Sequence, residues 1–220
     1  MTTSDKRAAG SVLPRDLGAL DFWTDRLPQG GAILLVPAAA IVMHELGHFA
    51  AHAFFGYELN HLSYQGVTVG APPEGVNQSL ADGVSFAAGT LMSFALVASA
   101  LAWTIARGPS VIAIAVVLFE CLRAAISLTT QVATLGASSA FFTGFGELRY
   151  GVRALGGPHI AEVVTSSVEF LIPWVVLSFL ISRRPVGERL WPAFAVTALL
   201  LLGLVLWLGW LGPRVLPSYA

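Results

Sequence analysis

Apolar residues run in five long blocks separated by polar stretches: Gly30 to Gly56, Val84 to Ala106, Val111 to Leu135, Val163 to Ser182 and Trp191 to Leu211. Each is near the roughly 20 apolar residues a helix needs to cross a bilayer. The first, at about 1.5 Å per residue, makes roughly 40 Å of helix, enough to cross with tilt. The pattern predicts an all-α integral membrane protein of about five transmembrane helices. Five spans put the termini on opposite sides.

Two intervals break the pattern. Between the third and fourth blocks, residues 137–159 (ASSAFFTGFGELRYGVRALGGPH) are half apolar and rich in glycine. This reads as a re-entrant or interfacial segment lining a cavity, where irregular backbone is tolerated at membrane depth. After the first block, a β-like run from His61 to Val69 is broken by Gly66 and closed by Pro72 and Pro73, which predicts a short β-hairpin on the membrane face. Residues 1–28 interleave Lys6, Arg7, Arg15 and Arg26 with Asp5, Asp16, Asp21 and Asp25 and contain no apolar leader core, so they read as a retained polar tail. Residues 29–220 form a single polytopic membrane domain, since no internal repeat divides them.

Composition agrees. Of 220 residues, 55% are hydrophobic and 11% charged, with a mean hydropathy of +0.73. A net charge of −1 leaves no basic excess to neutralise a phosphate backbone, so nucleic acid is not an expected partner. The single Cys121 supplies neither a disulfide nor a CxxC knuckle, so a metal site must come from histidine and carboxylate. Lys and Arg outside the spans favour a cytoplasmic N-terminus: Lys6, Arg7, Arg15, Arg26, Arg107, Arg183, Arg184 and Arg189 on its side against Arg149, Arg153 and Arg214 on the other. Trp191, Trp207 and Trp210, at or near the ends of the last block, read as interfacial anchors, as does Trp23.

The chemistry lies within the first block, in His44-Glu45-Leu46-Gly47-His48. Positions i and i+4 stack on one helix face, so both imidazoles can reach one zinc ion at about 2.0 to 2.1 Å. Glu45 then lies beside the metal, placed to take a proton from a zinc-activated water and pass it to a leaving amine. The competing reading is a hydrogen-bonded histidine pair in a core. Burying two imidazoles and a carboxylate deep in an apolar helix without partners is costly, which favours the metal.

His52 continues the face at i+8, but about 12 Å along the axis separates it from His44, too far to share one ion. It reads as a support for the ligands or as cavity lining, and His61, in the loop, as a solvated histidine. A third ligand must come from Glu120, Glu147, Glu162 or Glu169. Glu147 is favoured because it follows Gly144-Phe145-Gly146 in the broken segment, where unwound backbone can aim it inward. Glu120 can pair with Arg123 three residues on. An interfacial position accounts for Glu162 and His159. Glu169 has no such account and ranks second.

The stretch Met43 to Tyr57, MHELGHFAAHAFFGY, resembles the zinc-site helix of the site-2 protease family of intramembrane metalloproteases. The β-like loop after it fits, as does Ala87 to Ser93, which resembles the small-residue segment opening that family's next core helix. Gly144 to Gly157 occupies the slot of its Asp-Gly metal-ligand motif. Thr90 stands where the family usually has proline, Ser93 where it often has asparagine, and Glu147-Leu148 replaces Asp-Gly. The resemblance implies a zinc metalloendopeptidase of the plasma (inner) membrane. Its zinc would be held by His44, His48 and Glu147, with Glu45 as base and acid, and it would cut a membrane-embedded substrate helix. The family's topology turns the end of the zinc helix toward the cytoplasm, opposite to the charge count, so orientation stays open.

Two other readings stand beside this one: a non-catalytic membrane scaffold or receptor derived from such a protease, and a metal transporter using His44, His48 and His52 as a relay. Gly89, Thr90, Ser93 and Ser99 either line a water path or mediate helix packing.

Overall fold

The computed structural model describes residues 19–64, 66–108, 110–133, 147–183 and 190–217. Six helices carry most of the mass: α1 (Ala19–Phe54), α2 (Gln78–Arg107), α3 (Val111–Ala133), α4 (Glu147–Ala154), α5 (His159–Ser182) and α6 (Leu190–Leu206). Strands β1 (Leu59–Ser63) and β2 (Gly66–Val69) follow α1 as an antiparallel hairpin, and a π-helical segment, Trp207–Leu211, leads into the turn α7 (Gly212–Val215). Among the described residues, four stretches are long and apolar enough to cross a membrane: Gln29–Phe54, Gln78–Arg107, Ile160–Ser182 and Phe194–Val215.

A helix covers each of the five expected blocks, with shifted edges, but among the described residues four of these helices, all except α3, carry a stretch long and apolar enough to cross a membrane, against the five spans expected. Helix α1 starts at Ala19, inside the stretch read as a polar tail, and Pro28, Gly30, Gly31 and Pro37 do not interrupt it. Residues 1–18 lie outside the described residues, as do the last residues of the third block beyond Ala133 and the first part of the broken segment, through Gly146. The described part of that segment is helical, as α4. The hairpin pairs Leu59 with Val69 and Ser63 with Gly66, with an irregularity between Leu59 and His61.

Local signals set the boundaries. Helix α1 ends at a left-handed glycine, Gly56 (φ 75°), and the Tyr57 N–H turns back to the His52 carbonyl. The Asn77 side chain caps α2 by accepting from the Leu80 N–H at 3.1 Å, and Gly108 (φ 89°) closes it.

Helix α3 is the central post. One side of it contributes Ala115 and Phe119 to a cluster with Ile33, Val36 and Ala40 of α1 and Val196 and Leu200 of α6. The other contributes Ala113, Val117 and Cys121 to a cluster with Val97 and Ala100 of α2 and Leu177 and Leu180 of α5. The outer faces are apolar as well: Ile105 is 70% exposed, Phe194 72% and Val205 67%. Close approaches lock the layers. A Cβ on Gly47 would sit 2.5 Å from the Ala88 carbonyl oxygen, so the glycine of HELGH is where α1 and α2 cross.

Candidate metal centre

His44 and His48, one turn apart on α1, bring their Nε2 atoms to 3.2 Å. The Glu147 Oε2 at the start of α4 lies 2.8 Å from His44 Nε2 and 3.3 Å from His48 Nε2. These edges suit a tetrahedral site, where ligand atoms about 2.0 to 2.1 Å from an ion stand roughly 3.3 Å apart. The sequence-favoured trio converges on one point, and the group is buried and can hold a metal ion.

Protonation follows from the outer neighbours. His48 Nδ1 is 2.7 Å from the Ser85 backbone carbonyl, which can only accept, so Nδ1 carries the proton and Nε2 presents a lone pair. His44 Nδ1 is held by the Ser93 hydroxyl at 3.1 Å, a group that can accept from it or donate to it. Glu147 Oε2 finds no hydrogen-bond donor of its own. The His48 Nε2 and Glu147 Oε2 lone pairs thus converge on His44 Nε2 in a buried pocket, an arrangement that a cation relieves.

Helix α2 shapes the other wall. A Cβ on Gly89 would overlap the His48 ring and come within 3.0 Å of His44 Cε1, so only glycine leaves room for the two imidazoles. Thr90 and Ser93 are buried beside it. Of the residues read as a water path or packing face, Ser93 is a support for His44, and the exposed Ser99 bonds its own helix at the Ala95 carbonyl.

Helix α4 delivers Glu147. With 8 residues it is too short to be stable alone, and its neighbours hold it. Gly151 crosses Gly83 of α2, where a Cβ on Gly151 would lie 2.9 Å from the Gly83 carbonyl oxygen. Arg149 Nε and Arg153 Nη2 clasp Glu162 Oε2 of α5 at 3.0 and 2.7 Å. The hydrogen bond to Glu162 raises the Arg153 guanidinium above its ordinary value. Glu162, near the start of α5, is therefore a buried anchor of α4. The side chain of His159 lies outside the described residues.

Glu120 pairs with Arg123 at 2.8 Å, as the spacing predicts. Glu169 is buried on α5 and is not a member of the metal-ligand trio. Nor is His52, whose Nε2 meets the Ser85 hydroxyl at 2.9 Å while its ring packs edge-on to Tyr57. Ser85 thus supports two histidines through two different groups. Nothing in the sequence marked it, because its role depends on how α2 crosses α1.

Two expectations fail at the hairpin. His61 is half-buried and its Nε2 hydrogen-bonds the Pro217 carbonyl, so it is not a solvated loop histidine. Trp207 is 5% exposed and donates Nε1–H to the Tyr64 carbonyl at 3.1 Å, so it staples the chain end to the hairpin and is no interfacial anchor. Trp210 stays exposed, with Arg214 over its ring; the side chains of Trp23 and Trp191 lie outside the described residues.

A cavity of about 430 Å³ opens beside His44 and Glu45. Phe119, Leu122 and Arg123 of α3, Leu200 and Leu204 of α6, and Tyr64 line it. Glu45 is half-buried at this edge and is not a member of the metal-ligand trio. The arrangement places the Glu45 carboxylate, a group that can hold a metal ion and an apolar chamber side by side. Compared with known protein families, curated proteins and solved structures, the chain matches none.

Proposed function

We propose that this protein is a multi-pass membrane zinc metallopeptidase that hydrolyses a peptide bond of a membrane-embedded substrate helix. The observation that carries the reading is the convergence of His44, His48 and Glu147, with Glu45 adjacent in sequence yet outside the trio. A His, His, carboxylate set whose two Nε2 atoms turn to one point, with His48 fixed in the Nε2-ligating tautomer, suits Zn²⁺, and three protein ligands are what a catalytic zinc takes. Zinc, when bound, supplies Lewis-acid activation of water and polarises the scissile carbonyl.

The chain's own residues supply the rest. Glu45 takes the proton of the attacking water and returns it to the departing amine nitrogen, the two tasks one carboxylate can perform in sequence. Ser85 and Ser93 keep both imidazoles from turning away. The cavity beside Glu45 gives an unwound, apolar segment of substrate a place to lie, because a helical amide is already occupied by its own hydrogen bonds. The four apolar helices and their exposed Ile, Phe and Val side chains support a bilayer location, which we assign to the plasma (inner) membrane.

The transport reading lacks a path: among the described residues His44, His48 and Glu147 form the one such ligand group, and His52 is engaged by Ser85. The test is zinc content of detergent-purified protein after dialysis against a weak chelator, paired with cleavage of a reporter transmembrane helix. Near-stoichiometric zinc is expected in wild type and its loss in His48→Ala. Glu45→Gln should keep the metal and lose cleavage. Equal cleavage by Glu45→Gln overturns the mechanism, and a folded wild type that takes up no zinc overturns the metal site.

A further inference from the structure

Arg123 places a cation on the wall of the chamber that His44 and Glu45 also line. It is anchored by Glu120, one turn earlier on α3: the Arg123 Nε–H donates to Glu120 Oε2 at 2.8 Å. The Glu120 side chain is 2% exposed and that of Arg123 14%, so the carboxylate is sealed in the packing and the guanidinium is the member that meets the chamber. Glu120 Oε1 accepts no hydrogen bond, so Nε alone joins the pair and the outer Nη–H groups are not spent on Glu120.

The rest of the lining is short of donors. Most of it is aliphatic or Phe. His44 turns Nδ1 to Ser93 and Nε2 to Glu147 and His48, and an ionised Glu45 can only accept. The Arg123 guanidinium and the Tyr64 hydroxyl remain. An unwound peptide segment brings the complementary need, because each carbonyl oxygen released from its helical bond is costly to leave unpaired in apolar surroundings. A planar guanidinium fork is built to meet neighbouring oxygens together.

Charge decides which oxygens fit. Arg123 is always a cation and Glu120 supplies its counter-charge, so the pair is neutral as a unit and what it has left to offer is hydrogen bonding. A neutral carbonyl accepts that offer without adding charge, whereas a ligand carboxylate would bury a further negative charge beside Glu120 and Glu45. We propose that Arg123 is a substrate-binding residue of the chamber: its Nη–H groups donate to backbone carbonyl oxygens of an unwound, apolar and uncharged peptide segment, while Glu120 holds the guanidinium and balances its charge. The proposal rests on the peptidase reading above for its occupant, and adds to it a substrate class, segments that carry no carboxylate into the chamber.

Two probes separate the possibilities: dansyl-trileucine ending in a carboxamide, which is neutral, and the same peptide ending in a free carboxylate. Each is titrated with detergent-purified protein, and dansyl emission is read within seconds of mixing, ahead of turnover, with protein-free micelles subtracted. Wild type should bind the carboxamide saturably and about 10-fold or more tighter than the carboxylate. Arg123→Met should weaken the carboxamide about 10- to 100-fold, as for loss of hydrogen bonds from a charged donor. Because that variant leaves Glu120 buried without its partner, the double variant Arg123→Met with Glu120→Leu, which removes the pair together, decides if the single one does not fold. Glu120→Gln keeps an acceptor for Arg123 Nε but leaves the cation unbalanced, so the preference should swing toward the carboxylate peptide by about 10-fold or more, a swing that a merely structural Arg123 would not give.

Wild-type affinity for the carboxamide in the double variant overturns the proposal, as does a wild type that favours the carboxylate or binds neither peptide. An unchanged preference in Glu120→Gln overturns it too. The probes carry no metal-binding group, so a protein that binds the carboxamide as expected yet holds no zinc upholds the role of Arg123 and overturns the metal site instead.

Discussion

The imidazole Nδ1 of His48 lies 2.7 Å from the backbone carbonyl of Ser85, across the α1–α2 crossing. Because a carbonyl has no proton to give, this one contact selects the tautomer that leaves Nε2 free toward Glu147 and His44. A backbone acceptor cannot be removed by side-chain substitution, so the His48 arm of the site is robust and the others are open to test.

The His44 arm depends on a side chain. Ser93→Ala removes the partner of His44 Nδ1, and metal affinity should fall about 10- to 100-fold. Ser93→Thr, which keeps the hydroxyl, should lie closer to wild type. Competitive chelation with fluorescent zinc indicators measures both.

Gly89→Ala should abolish metal binding while leaving a helical, folded protein. The added methyl enters the space of the His48 ring, and the histidines have no second place to go against α2. Circular dichroism checks the fold and elemental analysis the metal. Retention of stoichiometric metal would mean that α2 moves away freely at this crossing.

Loss of the α4 clasp should be felt at a distance. Glu162→Leu leaves Arg149 and Arg153 without their shared carboxylate. Arg153 is half exposed, which discounts its share through solvent screening, so a destabilisation of about 1–3 kcal/mol is expected. Metal affinity should drop with it, because Glu147 rides on the same helix. Unfolding in mixed detergent–denaturant series gives the first quantity and Co²⁺ titration the second.

Trp207→Phe keeps the buried ring and removes the Nε1–H bond to the Tyr64 carbonyl. The cost should be about 1 kcal/mol, a typical net hydrogen bond, with metal content unchanged. A loss of metal would show that the hairpin and the chain end help hold the site together.

Much of this was legible without a structure, and for a local reason. His44, Glu45 and His48 lie within five residues, so helical geometry alone sets which of them share a face, and the cost of burying them in an apolar block singles them out. Block length likewise predicts helices long enough to cross a bilayer, because a bilayer's thickness is a property of the solvent and not of the fold. Glu147 could be ranked first among four glutamates from its broken, glycine-rich setting, but nothing local could exclude Glu169.

Tertiary structure decided the remainder, through contacts between residues far apart in the chain. Ser93 is 49 residues from His44, Ser85 is 37 from His48, and Trp207 is 143 from Tyr64. Their roles depend on which helix faces meet, and that is set by where Gly47 lets α1 approach α2 and where α4 is clasped by α5. Hydropathy reports that a residue is in an apolar block, but not what lies across from it. The sequence alone therefore determined which candidate groups share one helix face, while the packing of the helices around it decided which side chains complete, orient and enclose them.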